Sequence, residues 1–363
     1  MSKSIEIVYD LQKRIIDGVY PVKLPPMRAL AKEYGVNLKT ISKCVGYLCS
    51  SGVVEARKSS GVYISNINEG NNVRPNGRNV ALLVRHYGDY FAPLFNTMVR
   101  EIDSAGAIPL LLPHRKEGAG RERLDELLEH KPLAIIIDAM IYGFDSEYLA
   151  KCASRVPRLI FLMKRLPPPL AGLPNAYWVT SDFYYGAYLA VKHLAELGHS
   201  SILLLREEPS GLQALEFRHT VRFNYYIGYL MAMKEFGLKA EVVEASSFSD
   251  SSWGNEIIRR LQADDRPTAI LCSQDDYAVE VMDIASELHL RVPLDLSVVG
   301  CYDLEIGRKA SVPLTSIRVN EERIGALAAE LALTSVPGSL RQVVLPDLVV
   351  RNSTSAPRIL LSN

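Results

Sequence analysis

A chain of 363 residues, 48% hydrophobic and 23% charged, is long enough for two or three compact lobes and has a globular balance that excludes a disordered or fibrous protein. Basic and acidic side chains both number 41, so a uniformly basic nucleic-acid coat is excluded too. The charge is nevertheless unevenly spread: residues 1–65 hold ten Lys or Arg against five Asp or Glu, leaving a head at +5 on a body at −5, as expected of a small polyanion-binding module on a neutral partner domain.

The N-terminus is interrupted by Glu6 and Asp10 and does not read as a signal peptide, and no apolar run approaches the length of a membrane span. The five cysteines (Cys44, Cys49, Cys152, Cys272 and Cys301) are odd in number, form no CxxC pair and sit among apolar residues. They are expected to be reduced core thiols of a cytoplasmic protein.

The first element predicted is a helix with the apolar stripe Ile5, Val8, Leu11 and Ile15, ending at Gly18. Pro25-Pro26 opens a second helix, since proline suits a first turn whose N–H groups have no intrahelical acceptor. Its buried face is Met27, Leu30, Ala31 and Tyr34, and Gly35 closes it. Only Val36 and Asn37 then intervene before a third helix, for which Asn37 is the N-cap and Ile41, Val45 and Leu48 the inner face, stopped by Gly52. Two helices joined by a tight glycine-bearing turn predict a helix-turn-helix. Lys39, Thr40, Ser42 and Lys43 face outward near the start of the third helix, the part of a recognition helix that reads base edges and phosphates. Val53–Ala56 and Gly61–Ile64 then flank Arg57-Lys58-Ser59-Ser60, a β-hairpin whose basic, small-residue tip can approach a phosphate backbone. Periodicity and charge alone leave a second reading open, three ordinary core helices and a hairpin with no nucleic acid.

Residues 66–78 are dominated by Asn and Gly with no apolar period and predict a flexible tether. From Asn79 apolar strands alternate with amphipathic helices: Val80–Val84, a helix to about Ala105, Ile108–Leu112, a helix over 121–129, then Leu133–Ile137. The pattern breaks around a proline-rich stretch at 164–178 and resumes through Leu203, Ile270 and Val298. Continuous apolar strands alternating with helices imply parallel sheets covered on both faces. The predicted fold is therefore α/β: a winged helix-turn-helix over 1–65, a linker over 66–78, and a two-lobed body over 79–363 with a cleft between its lobes.

The head resembles the GntR family of winged-helix regulators. The residues that carry this are Ile16-x-Gly18-x-Tyr20, Leu24-Pro25-x-x-Arg28-x-Leu30-Ala31, Gly35-Val36-Asn37-x-x-Thr40, Leu48-x-x-x-Gly52 and the wing Gly61-Val62-Tyr63-Ile64. The resemblance implies DNA contacts at Arg28, Asn37, Lys39, Thr40 and the wing tip Arg57, Lys58, Ser59 and Ser60. Lys39, Lys43, Arg57 and Lys58 suit phosphates. Leu38 and Ser42 stand where many members have Arg, which implies an altered operator, because bidentate Arg–guanine pairing is the commonest specific readout.

The body resembles the LacI/GalR regulators, whose effector domain has a periplasmic-binding-protein-like fold. The residues are Val179-x-x-Asp182-x-x-x-Gly186, His193-Leu194-x-x-Leu197-Gly198-His199-x-x-Ile202, Pro267–Asp275, Val292-Pro293-x-Asp295-x-Ser297-Val298-Val299-Gly300 and Pro313–Ile317, followed by Ile324-Gly325-x-x-Ala328 and Leu348-Val349-x-Arg351-x-Ser353-Thr354. A GntR head on a LacI-type body is the arrangement of arabinose-type repressors. The resemblance implies a small-molecule effector, a sugar or sugar derivative, held between the lobes. The loop after the first body strand offers Asp89, Tyr90 and Phe91, aromatic faces and a carboxylate suited to a sugar, although aromatic residues there also serve as packing. Asp275 matches the family's ligand-facing Asp, beside Gln274 where Asn is usual. Tyr302 replaces an expected acid and Tyr225 an expected Arg, for which Arg222 is a candidate substitute; these changes imply a ligand with fewer hydroxyl contacts than a free hexose, or one bound differently. Asp182 is open between ligand contact and helix cap. His199 is expected to satisfy helix-terminal carbonyls.

The seven histidines show no metal-ligand spacing, and no nucleophile elbow, Walker or dinucleotide motif occurs, so neither metal, cofactor nor catalysis is expected. The leading expectation is a cytoplasmic homodimer, since a single helix-turn-helix reads half of a palindromic site. It would be a repressor released or engaged by its effector, with activation still open. A solute-binding protein of the periplasmic type and a sugar-modifying enzyme are the alternatives; the first needs export, the second a catalytic constellation.

Overall fold

In a computed structural model of the chain, residues 7, 10–11, 14, 19–20, 22–50, 54–57, 60–64, 79–84, 91–111, 120–138, 146–163, 173–207, 221–247, 252–334 and 341–358 are described. They fall into two compact units, Met1–Gly77 and Arg78–Asn363.

In the first unit Ile7, Asp10, Leu11 and Arg14 are helical, followed by α1 (Met27–Glu33), α2 (Leu38–Ser50), β1 (Val54–Arg57) and β2 (Gly61–Ile64). The anticipated inner faces meet in one core that includes Leu11, Leu30, Ile41, Val45 and Leu48. Gly35 takes φ +62°, a left-handed turn that a side chain would strain, and Val36 N–H donates back to Ala31 O at 3.0 Å. Asn37 caps α2: its Oδ1 accepts from Thr40 N–H at 2.8 Å. Tyr34 donates to Asp10 at 2.7 Å, and Arg14 pairs with Asp10 at 2.8 Å, tying the first helical residues to the end of α1. β1 and β2 pair antiparallel with Arg57 opposite Gly61. The remaining residues of the first predicted helix, Gly52 and the 66–78 tether lie outside the described residues.

The second unit holds two six-stranded sheets. Its elements in chain order are β3 (Asn79–Leu83), α3 (Phe91–Ser104), β4 (Ile108–Leu111), α4 (Gly120–Glu129), β5 (Ala134–Asp138), α5 (Ser146–Ala153), β6 (Leu159–Leu162), β7 (Ala176–Ser181), α6 (Phe183–Glu196), β8 (Ile202–Glu207), α7 (Val221–Glu235) and β9 (Glu241–Ala245). There follow α8 (Ser252–Leu261), β10 (Ala269–Cys272), α9 (Asp275–Glu287), β11 (Ser297–Cys301), α10 (Glu305–Arg308), β12 (Thr315–Arg318), α11 (Glu321–Leu333), β13 (Arg341–Val344) and β14 (Asp347–Val349). The first sheet has order β13-β7-β6-β5-β3-β4 and is parallel throughout. The second has order β14-β12-β11-β10-β8-β9, parallel except for the antiparallel β12–β14 pair. Every residue of β3, β5, β6, β7, β10 and β11 is buried, as covering both faces of a parallel sheet requires. The stretch expected to be a proline-rich break ends earlier than read: Ala176–Trp178 already belong to β7, whose aromatic residues turn into the core.

The chain passes between the sheets after β7, after β12 and after β13. β13 runs into β14 through two residues, and β14 lies antiparallel to β12 with Arg318 opposite Asp347, so the carboxyl ends of both sheets face the interlobe gap. Each lobe also has one helix pair in backbone contact. A Cβ at Gly228 on α7 would lie 2.2 Å from Tyr184 O on α6, and one at Gly325 on α11 would lie 2.5 Å from Leu94 O on α3. Because the obstacle is backbone, neither helix can yield without moving whole. Gly228→Ala is therefore expected to lower the unfolding free energy by about 3 kcal/mol, read from the midpoint of denaturant unfolding. A midpoint equal to wild type would contradict this close packing.

Candidate DNA interface and effector cleft

The head's exposed surface gathers the residues expected on DNA. Lys39, Ser42 and Lys43 are exposed on the first turns of α2 and Thr40 is half-buried beside them; Arg28 on α1 and Arg57 and Ser60 at the wing are exposed as well. Leu38 is 47% exposed, an apolar side chain in the place where an Arg would carry base readout. Asn37 has its Oδ1 committed to the α2 cap, so any contact with a base or phosphate falls to its Nδ2 donors. Lys58 and Ser59 lie outside the described residues.

In the body, the cleft side of the second sheet is built from the residues that follow β8, β10 and β11 together with the first turn of α7. Arg222 Nη2 donates to Glu207 Oε2 at 2.9 Å, with both side chains about three-quarters buried. Gln274 Nε2 reaches the same carboxylate oxygen at 3.3 Å. Beside them, Ser273 Oγ is buried and has no hydrogen-bond partner among the described residues. A buried hydroxyl without an acceptor costs free energy, which a ligand's polar group can recover. Neither Ser273 nor Glu207 is among the candidate site residues that the sequence suggests. The available signal is a polar residue at the carboxyl end of an apolar strand: Glu207 closes β8, and Ser273 directly follows the fully buried β10.

Tyr302 follows β11 with φ +96°, a left-handed conformation strained for a tyrosine, and its ring lies 5.6 Å from that of Phe183 at the start of α6. The acid that follows it, Asp303, is turned away into an ion-pair cluster with Arg318 at 2.8 Å and Arg351 at 2.6 Å.

Three of the candidate ligand residues have partners within the fold, and for Asp182 this is the helix-cap alternative. Asp275 is completely buried; its carboxylate accepts from Ser316 Oγ at 2.6 Å and from Leu304 N–H, bracing the turn after β11. Burial pushes its carboxyl up to about 7. Tyr225 is buried with its hydroxyl donating to Cys272 O at 3.0 Å, so its ring fills core where the family pattern has a charged side chain. Asp182 caps α6, accepting from Tyr185 N–H at 3.1 Å. His199 also departs from expectation. It does not satisfy helix carbonyls with its ring but joins the residue before β10, the start of β11 and the C-terminal segment, through Thr268 Oγ1 at 2.9 Å, Ser297 Oγ at 3.0 Å and Ser355 O at 2.9 Å. Asp89 and Tyr90 lie outside the described residues, and Phe91 is placed only as the first residue of α3. Among the described residues no group of His, Cys, Asp and Glu could hold a metal ion, and no helix is long and apolar enough to cross a membrane.

Known proteins share both parts. Residues 3–64 match the gntR family of bacterial regulatory proteins, and residues 191–354 match the periplasmic binding protein-like domain. The chain is 24% identical to the arabinose metabolism transcriptional repressor of Halalkalibacterium halodurans, covering 95% of this chain and 94% of that protein. It is 26% identical to the transcriptional regulator GalR of Escherichia coli, over 92% and 96% of the two chains. The fold of the body matches that of a LacI family transcriptional regulator from Enterococcus faecium with bound ribose, at TM-score 0.62 and 19% identity, over 77% of this chain and 99% of that one. The chain is a DNA-binding transcription regulator, not an enzyme. It joins a gntR-family head to a periplasmic binding protein-like domain, and its relatives over the full length include an arabinose repressor and GalR.

Proposed function

We propose that this regulator is a cytoplasmic homodimeric repressor whose hold on its operator is set by a sugar or sugar derivative bound between the two lobes of the body. The observation that supports this most is the polar group at the strand carboxyl ends: Glu207, Arg222 and Gln274, with Ser273 Oγ next to Gln274 in the chain and without a partner among the described residues. Donors and acceptors fixed in three dimensions at such a cleft suit a hydroxylated ligand. Tyr302 adds a ring against which a sugar's C–H face can lie. With Asp275 and Tyr225 committed to the core, specificity falls to these residues. On the head, Arg28, Asn37 through its Nδ2, Thr40 and Ser42 are assigned to bases or sugar–phosphate, and Lys39, Lys43, Arg57, Lys58, Ser59 and Ser60 to the backbone. A ligand shifts operator affinity only if it binds the open and closed bodies unequally, and closure about the three interlobe passages supplies two such states.

Isothermal calorimetry of the full chain against a panel of pentoses, hexoses and their phosphates tests the reading. One of them is expected to bind at one site per chain, and Arg222→Ala to weaken it about a hundredfold by stranding Glu207 and removing a charge-assisted donor. Binding unchanged by Arg222→Ala would contradict the placement of the ligand, and no binding by any of the panel would contradict its class.

A further inference from the structure

The wing is held from a direction that the hairpin itself does not supply. The short segment before Pro25 runs antiparallel to β2: Lys23 bridges Tyr63, and Leu24 N–H donates to Val62 O at 2.9 Å. From that segment the Lys23 side chain lies across Gly61, and its Nζ donates to the carbonyl of Ser60 at the wing tip. Nζ also stands 5.1 Å from the centroid of the Tyr63 ring, and the Arg57 guanidinium stands 4.6 Å from the same centroid. The hydroxyls of Ser60 and Tyr63 are 2.8 Å apart, and Ser60 N–H closes the turn onto Arg57 O at 3.0 Å.

Gly61 makes this possible twice over. Its φ is +110°, and a Cβ there would fall 2.5 Å from Lys23 Cε and 2.9 Å from Nζ. The bond from Ser60, followed by the charge of Lys23, lowers the Tyr63 phenol below its ordinary range, as a hydroxyl crowded by donors and cations requires. Arg57, Ser60 and Tyr63 are thus one ordered cluster, tied by Lys23 to the segment that leads into α1.

We propose that Lys23 is a positioning residue for DNA binding: its side chain fixes the wing tip so that Arg57 and the Ser60–Tyr63 hydroxyl pair meet the phosphate backbone already ordered. The ammonium is committed to the Ser60 carbonyl, so its effect on DNA passes through the wing. A tip ordered before contact loses less conformational freedom on binding than a mobile one. The proposal rests on the head's role as a DNA reader.

The test uses the full chain and a labelled duplex from the DNA upstream of its own gene, with the dissociation constant followed across salt concentrations. Lys23→Met keeps the aliphatic stem and removes the donor. It is expected to weaken binding about tenfold, to leave the salt slope unchanged, and to speed hydrogen exchange in peptides covering residues 54–64. Lys23→Arg is expected to restore most of the affinity. Arg57→Ala, the comparison for a direct contact, should lower the slope by about 0.9. The proposal is overturned if Lys23→Met removes about 0.9 from the slope with wing exchange unchanged, since Lys23 would then be a phosphate ligand itself. Unchanged affinity overturns it as well. In either case the wild type still binds and the DNA-reading role stands, whereas a wild type without salt-dependent binding overturns that role and the proposal together.

Discussion

Asp275→Ala is expected to lower the unfolding free energy of the body by about 3 to 5 kcal/mol, more than any single change on the exposed head. The carboxyl lies at 0% exposure and satisfies two buried donors, Leu304 N–H and Ser316 Oγ. Truncation strands both and opens a hole beneath the turn after β11. The neighbouring chain is shaped around this carboxylate: a Cβ at Gly300 would come within 2.0 Å of its Oδ1. Asp275→Asn keeps the shape and an acceptor for Leu304, so its effect depends on pH. Burial raises the folded-state value from 3.8 to about 7, which means the folded protein holds a proton that the unfolded chain has released between roughly pH 4 and pH 7. A carboxyl raised in this way gives its full stability below about pH 4 and loses it as pH climbs through about 7. The wild type's advantage over Asp275→Asn should therefore shrink as pH rises from 4 to 8. Denaturant titrations of both proteins at several pH values measure the difference directly, and the contributions of Glu321 and the buried histidines cancel in it. A difference independent of pH would show that Asp275 is ionised throughout and that the turn is braced by a charge.

Lys39→Ala with Lys43→Ala is expected to weaken operator binding about a hundredfold and to flatten the plot of log Kd against log salt by about 1.8, which is 0.9 for each phosphate contact. Both ammonium groups are exposed on one end of α2, where they contribute nothing to the core built on Ile41, Val45 and Leu48. The melting temperature should accordingly stay within a degree or two of wild type. Loss of affinity with an unchanged salt slope would mean that the two lysines act on base edges or on the shape of the head rather than on phosphates.

What could be read from the sequence follows local periodicity. The inner face of α2 and the Asn37 cap were legible because a helix repeats every 3.6 residues and a cap lies next to what it caps. The fully buried strands of the body were legible for a similar reason, since β5 reads Ala-Ile-Ile-Ile before its terminal Asp138. The roles of Asp275, Tyr225 and His199 were not, because each is decided by chain far away in sequence. Asp275 is claimed by a serine 41 residues on. Tyr225 reaches a carbonyl 47 residues away and His199 one at 156 residues. An acid placed after a strand looks the same in sequence whether it faces a ligand or closes a turn. The fit appears only in the fold, where a Cβ at Gly300 would crowd the Asp275 carboxylate. The Lys23–Tyr63 bridge escaped for the same reason, since it pairs a segment flanked by prolines with a strand on the far side of two helices.

The basic head is proposed to read DNA under the control of the body. Fluorescence anisotropy of the full chain with a duplex from its own upstream region, measured from low to physiological salt, tests it most directly. Binding is expected to be tight, to fall steeply and linearly in log salt, to exceed binding to a scrambled duplex by a thousandfold or more, and to change when the sugar identified by calorimetry is added. Equal affinity for the scrambled duplex, or an affinity indifferent to salt, would contradict it.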